Sequence, residues 1–479
     1  MRITLLVSFL LCYCYCIYIT HASPNSLCLE DQQSLLLQFR NNLAFDPEYS
    51  FRPLEWNKSA VCCSWSGVTC DKDGHIIGLD LSYVIISGGI NSSSSLFSLQ
   101  HLQILYLSGI NFNSSIPSGF RLVQNLIISS NLDVLDLRNN QLLGSIPQDI
   151  GSYLSSTIFL SLSNNNLHGS IPDSLCKASK LRVLDISVNN ISGTISPCLM
   201  TMTGTLEVLN FGKNNLTGLI PDMFPIDCVV STLNFHGNLL HGPIPNSLSN
   251  CSSIEVFDIG SNQIVGGFPC FLLNIPAFGV LVLRNNKFHG SIECSHSQTN
   301  EHWKMIQIVD IAFNSFNGKL PEKYFTTWDR MIHNEDDSPK MYYEDSVTVS
   351  TKGQQLEFVK ILTILTVIDF SSNHFEGPIP EVLMDLKGIR VLNLSNNALY
   401  GEIPSTIGNL QQLESLDLSN NSLVGEIPVQ IASLSFLSYL NLSMNHLVGM
   451  IPTGETFFVL EPLEYFVMES LKLGGLGGL

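Results

Sequence analysis

Three stretches late in the chain are nearly one phrase: LNLSNNALYGEIP (Leu392 to Pro404), LDLSNNSLVGEIP (Leu416 to Pro428) and LNLSMNHLVGMIP (Leu440 to Pro452). Working outward, Ile186, Phe211, Phe235, Ile259 and Leu283 mark earlier copies at spacings of 25, 24, 24 and 24 residues. About fourteen copies run from Leu79 onward, with one long interruption. A chain of 479 residues would ordinarily suggest two or three globular domains. A fixed period overrides that expectation, because an array grows in one dimension without a single central core.

The spacing dictates the coil. In L-x-L two apolar residues point inward from a short strand and the residue between them points out. Successive strands then stack about 4.8 Å apart as a parallel sheet. A turn Asn recurs at Asn140, Asn165, Asn189, Asn214, Asn238, Asn262, Asn286, Asn314, Asn373, Asn397, Asn421 and Asn445. Its amide can bond backbone groups of its own coil and the next, satisfying an otherwise buried turn. Gly and Ile-Pro further on favour extended or 3₁₀ backbone over full helices. The expected fold is therefore α/β: a leucine-rich-repeat solenoid coiling as a right-handed superhelix, with a parallel sheet on the concave face and a mostly 3₁₀ or irregular convex side. Val84 and Ile110 stand where the turn Asn belongs, and Gly119 to Asn131 matches poorly.

Composition fits a folded chain outside the cytoplasm. Apolar residues are 45% and charged residues 13%, which excludes a disordered chain, and a net charge of −18 argues against nucleic acid or an anionic membrane surface as partner. Residues 1–22 read as a signal peptide, with Arg2, an apolar run from Ile3 to Ile19 and Thr20-His21-Ala22; a membrane anchor is the rival reading. Cleavage there leaves ten of the 13 cysteines, an even number that favours disulfides. Nine sequons, at Asn57, Asn91, Asn113, Asn190, Asn215, Asn250, Asn393, Asn420 and Asn441, imply N-glycosylation.

Residues 23–75 differ from the repeats. Glu30 to Leu43 reads as an amphipathic helix, followed by Cys62-Cys63-Ser64-Trp65-Ser66-Gly67-Val68-Thr69-Cys70. Solenoids need a polar cap over the first coil, and Cys28 with Cys62 and Cys63 with Cys70 would staple one. Zinc is the rival reading for these thiols. Cys176 and Cys198, Cys228 and Cys251, and Cys270 and Cys294 stand 22, 23 and 24 residues apart, about one coil each, which suggests staples between coils without fixing the pairing.

The CCSWSGVTC module, the LxxLxLSxNxLxGxIP repeat and the interruption together resemble plant leucine-rich-repeat receptor-like proteins, the tomato Verticillium-wilt-resistance type in particular. The resemblance runs from Cys28 to about Phe457. It implies an array of about ten repeats over 76–321, an island domain over 322–363 and four repeats over 364–453. Receptor-like proteins carry in their island a Tyr followed, eight residues on, by Lys-Gly; Tyr343, Lys352 and Gly353 match and become candidates for co-receptor or ligand contact. The plainer reading packs Tyr343 onto the solenoid and gives Gly353 a turn. Val347 and Val349 alternate with Ser and Thr as a strand would.

Members of this family lack a kinase and signal through an adaptor receptor-like kinase and a SERK-type co-receptor. They continue into a cysteine-paired cap and a membrane span, whereas residues 454–479 contain no Cys and no apolar run long enough to cross a bilayer. The expectation is a truncated or soluble ectodomain, at the outer face of the plasma membrane or in the apoplast. The alternative function is an apoplastic inhibitor of a pathogen enzyme such as polygalacturonase.

Candidate contacts fall on the concave face. Asp80, Asp136, Asp185, Asp258, Asp310, Asp369 and Asp417 form a column whose regularity points to repeat building, not to paired-carboxylate catalysis. The residue just before the turn Asn varies more: Tyr83, Val188, Lys213, Phe313 and Met444 stand where other copies have Asn, Ser or Gly, and these are the ligand candidates. No P-loop, HExxH, nucleophile elbow or paired CxxC is present, so neither enzyme, metal nor cofactor is expected. The sequence points to recognition of an extracellular peptide, protein or glycan in defence or development.

Overall fold

The described copies of L-x-L form short strands, three residues long in all but the first, because two inward apolar side chains per coil leave no room for a longer pleat before the turn. The computed structural model describes residues 28–45, 54–84, 86–87, 94–110, 132–294, 303–333, 347–351, 354–358 and 364–450. The signal segment, Asn91, Asn113, the stretch 119–131, Tyr343, Lys352, Gly353 and the tail 454–479 lie outside the described residues. The chain divides into two compact units, residues 1–192 and 193–479.

In the first unit a cap opens the stack. Its helix spans Glu30–Asn41 and ends two residues short of Leu43; Leu36 and Phe39 are buried from it. Gln32 accepts the Ile76 N–H at 2.7 Å, and Arg40 Nη1 donates to the Trp56 carbonyl at 2.8 Å. Trp56 stacks on Trp65 at 5.5 Å. Cys28 is bonded to Cys62 and Cys63 to Cys70, so the thiols weighed as zinc ligands are paired with one another. Strand Val68–Cys70 runs antiparallel to Ile76–Asp80, closing the sheet edge before the parallel strands Ile104–Tyr106, Val134–Asp136, Phe159–Ser161 and Val183–Asp185 follow. At the two positions lacking the turn Asn, Val84 and Ile110 are buried, and Ile110 N–H donates to Asn140 Oδ1 of the next coil.

In the second unit the L-x-L copies supply nine parallel strands among the described residues: Val208–Asn210, Thr232–Asn234, Val256–Asp258, Val280–Val282, Ile308–Asp310, Val367–Asp369, Val391–Asn393, Ser415–Asp417 and Tyr439–Asn441. Cys228–Cys251 and Cys270–Cys294 join neighbouring coils, with Cα atoms 4.7 and 5.7 Å apart; Cys176 in the first unit and Cys198 in the second are each disulfide-bonded. Short 3₁₀ turns such as Asn246–Asn250 and Ser405–Asn409 sit behind the strands, as the Ile-Pro signals imply.

One feature exceeds the expectation of an irregular back. A second parallel sheet follows the turn Asn, with strands such as Lys287–Ser291, Ser315–Gly318, His374–Gly377, Ala398–Gly401 and Ser422–Glu426. In the first unit Leu143–Ser145 and Asn166–Gly169 do the same, and Asn190 and Ile191 extend the pairing. The glycine near the end of most of these strands, Gly401 at φ +87° for example, hides the pattern from a reading by strand propensity.

The turn Asn behaves as its spacing predicts. Asn286 Nδ2 donates to Leu283 and Arg284 in its own turn and to Ile259 one coil back, at 2.9 to 3.2 Å, while its Oδ1 accepts the Ile264 N–H at 2.9 Å. The same set recurs at Asn238, Asn262, Asn314, Asn397 and Asn421. Between Asp310 and Val367 the chain inserts helices Glu322–Phe325 and Asp329–His333 and a hairpin of Val347–Thr351 against Gln354–Phe358. The strands on either side of this insertion are direct partners. Among the described residues no helix is long and apolar enough to cross a membrane.

Candidate functional site

The outward column of the strand sheet is not a row of free carboxylates. Asp136, Asp185, Asp258, Asp310 and Asp369 are buried, which corrects the expectation that the middle residue of L-x-L simply faces out. Each turns back on its own chain. Asp185 Oδ1 accepts the Ser187 N–H and O–H, Asp369 Oδ1 those of Ser371, and Asp417 Oδ1 those of Ser419. Asp80, Asp136, Asp258 and Asp310 cap the N–H two residues on in the same way. The Asx turn ends the strand, and strands about 4.8 Å apart cover its side chain. These residues build the repeat.

The next position is different. The residue before the turn Asn has positive φ in every described coil: Asn139, Asn164, Ser261, Asn285, Ser372, Asn396 and Asn420 lie between +51° and +57°, and Gly109 and Gly237 at +67° and +65°. Asn, Ser and Gly suit this left-handed backbone. The polar ones also bond along the row, Asn164 Nδ2 to Asn139 Oδ1 at 2.9 Å and Asn420 Nδ2 to Asn396 Oδ1 at 2.5 Å.

All five variable residues occupy this same strained backbone: Tyr83 at +61°, Val188 at +52°, Lys213 at +54°, Phe313 at +53° and Met444 at +57°. A β-branched or bulky side chain there costs on the order of 1–3 kcal/mol. Nor do they hide: Tyr83, Val188, Phe313 and Met444 are exposed at 39–56%. Sequence reasoning picked the column from its variability; the backbone supplies the reason that Asn, Ser and Gly are the rule. The five are not one patch. Tyr83 and Val188 belong to the first unit, whereas Lys213, Phe313 and Met444 share one row of the second, at intervals of four coils.

Phe313 has the most developed surroundings. The Arg284 guanidinium lies 5.8 Å from its ring centroid. Arg284 is itself buried and bonds Asp310 at 2.8 Å. Two coils back from Arg284, His236 Nδ1 meets Asp258 of the intervening coil at 3.0 Å. Burial alone would lower the His236 pKa, but the Asp258 carboxylate outweighs it and raises the imidazole. Gly260 lies between these pairs, where an added Cβ would meet His236 Nδ1 at 2.8 Å and Arg284 Cγ at 3.1 Å. The sequence columns gave no sign of Arg284 or His236, because Gly, Ala or Ser holds that place in most other coils.

The sequons divide by environment. Asn57, Asn190, Asn215 and Asn420 are exposed, and Asn393 and Asn441 are half-buried on the strand sheet. Asn250 already donates its amide to the Phe224 carbonyl at 3.1 Å.

Comparison with known proteins gives one consistent picture. A family model described as the leucine rich repeat N-terminal domain matches residues 29–71, and leucine rich repeat models match 130–191, 205–225, 365–386, 388–410 and 412–434. Receptor-like protein 7 of Arabidopsis thaliana is 41% identical over 128 residues, which is 26% of this chain and 12% of that protein. The chain therefore matches a small part of that relative's length. The plant peptide hormone receptor RGFR1, solved in complex with RGF2, superposes with a TM-score of 0.63 at 27% identity, over 80% of this chain and 53% of that one. The Arabidopsis receptor kinase HAESA, solved with the peptide hormone IDA and the co-receptor SERK1, gives 0.54 at 25% identity, over 88% and 83%.

Proposed function

Because this chain belongs to the leucine-rich-repeat proteins of the plant receptor-like type, we propose that it is an extracellular recognition module that binds a secreted ligand without catalysing a reaction. The observation that carries this reading is the row of strained, exposed residues before the turn Asn, above all Phe313 over Arg284. A backbone cost borne by a side chain that stays about half exposed calls for a contact outside the chain. A peptide is the ligand class with the best support, since similar ectodomains are solved with peptide hormones.

Signalling then needs partners: an adaptor receptor-like kinase and a SERK-type co-receptor, with Tyr343, Lys352 and Gly353 as the proposed island contacts. The cell surface or apoplast is the place where such assembly occurs.

The test separates binding from folding. Asn is the native residue at this position in several coils, so Phe313→Asn should leave thermal stability unchanged or raise it by about 1 kcal/mol as strain is relieved. Binding to peptides selected by the wild-type secreted protein from an immobilised library should weaken at least tenfold, about 1.4 kcal/mol. Equal affinity of the two proteins for every selected peptide would remove Phe313 from the contact surface. Retention of a SERK-type ectodomain by wild type but not by Tyr343→Ala would test the island separately.

A further inference from the structure

Asp310 and Asp369 are register partners on neighbouring strands, although the whole insertion separates them in sequence. Both are essentially inaccessible to solvent. Asp310 Oδ1 caps the Ala312 N–H at 3.1 Å, and its Oδ2 accepts from Arg284 Nη1 at 2.8 Å. Asp369 Oδ1 is committed to Ser371, through the N–H at 3.1 Å and the O–H at 2.6 Å. Asp369 Oδ2 is buried and has no hydrogen-bond partner.

The charges around the pair do not balance. Towards the N-terminal side stand Arg284, then Asp258 held by His236, with Lys213 beyond. Towards the C-terminal side Asn393 is neutral, and Asp417 follows, with Tyr439 Oη 3.3 Å from its Oδ2. Among the described residues one guanidinium therefore serves two adjacent buried carboxyls, with a third two coils away. A bare carboxylate oxygen in such a place carries a large desolvation cost, and a proton removes it.

We propose that Asp310 and Asp369 share one proton in acid and neutral conditions, and that losing it at alkaline pH loosens the seam where the two coils meet across the insertion. The direction of titration agrees. Burial, followed by the Asp369 carboxylate, pushes Asp310 up to about 8 against the opposing pull of Arg284. Burial also raises Asp369, opposed by its Ser371 hydrogen bond and by Arg284. The ligand reading can fail without touching this inference, since the pair is defined by the coil stack alone.

A folded-state carboxyl raised in this way still holds its proton when the unfolded chain has released it. Rising pH therefore favours unfolding from the ordinary carboxyl range up to about 8, and the pair adds nothing further above that. The full secreted chain and its Asp369→Asn variant provide the test. The wild-type Tm should fall as pH rises from about 5 to about 8, and the variant should show a shallower slope because one member of the pair no longer ionises. Hydrogen exchange at Ile311, which donates to the Asp369 carbonyl at 2.9 Å, should accelerate near pH 8 beyond its intrinsic base catalysis in wild type alone. Infrared difference spectra should show a protonated-carboxyl band that disappears over the same range and is missing in the variant. Parallel slopes, or no such band in wild type at neutral pH, overturn the proposal. Should the variant not fold, the wild-type infrared titration decides by itself.

Discussion

Asn373→Ala should be among the most damaging single changes in this protein, with a loss of about 3–5 kcal/mol. Asn373 Nδ2 donates to Phe370 and Ser371 in its own turn and to Ile311 across the insertion, at 3.1 to 3.2 Å, and its Oδ1 accepts the Phe316 N–H at 3.0 Å. Alanine leaves the Phe316 N–H without its acceptor and three carbonyls short of a donor. Total stability of a folded unit is about 5–15 kcal/mol, so the expected result is poor secretion and a Tm lower by many degrees. Asn373→Asp keeps the acceptor but turns a carboxylate oxygen towards those carbonyls; it should be worse at neutral pH than at pH 4, where a proton restores one donor. A Tm for Asn373→Ala within about 2 °C of wild type would show that the ladder is decoration and that the leucine stack alone holds the two coils together.

The contrast between Asn373 and Phe313 shows how much of this molecule the sequence reveals. The turn Asn recurs at a fixed spacing because every coil has the same buried turn to satisfy, and a repeated physical need writes a repeated letter. The parallel sheet, the cap helix and its cysteine pairs were legible for the same reason. The second sheet was not, since its strands are short and most carry a glycine at or near their end; only stacking supplies their hydrogen bonds. Residues that depart from the period told a different kind of story. Phe313 was picked out as an exception, yet the exception acquires physical content only from a φ of +53°, which no residue count contains. Arg284 carries no signal in the sequence and Asp369 reads only as one more member of the Asp column, because their meaning lies in what stands next to them one coil, or one insertion, away.

The insertion also requires a local core that differs from the rest of the array, and this carries the second large effect. Two places after the turn Asn most coils bury an aliphatic residue: Leu216, Leu240, Ile264, Leu399 and Leu423. The coils flanking the insertion bury Phe288, Phe316 and Phe375 instead. Phe316 stacks on Phe288 at 5.8 Å and on Phe375 at 6.5 Å, and meets Phe268 edge-on at 6.2 Å. The aromatic contacts continue from Phe375 to Phe370, Phe325 and Trp328, so the first helix of the insertion is anchored in the same cluster.

Phe316→Ala should therefore cost about 3–5 kcal/mol, from the lost transfer energy and the cavity left between two rings. Phe316→Leu, which installs the side chain other coils use, should cost only about 1–2 kcal/mol. Urea unfolding of both variants measures the difference. Because the ring sits where the stack is interrupted, hydrogen exchange in Phe316→Ala should rise first in Glu322–Phe325 and in the strands Ile308–Asp310 and Val367–Asp369. Uniform loss of protection along the unit, with the two variants equally destabilised, would mean that the aromatic cluster is ordinary core and not the element that fastens the insertion to the array.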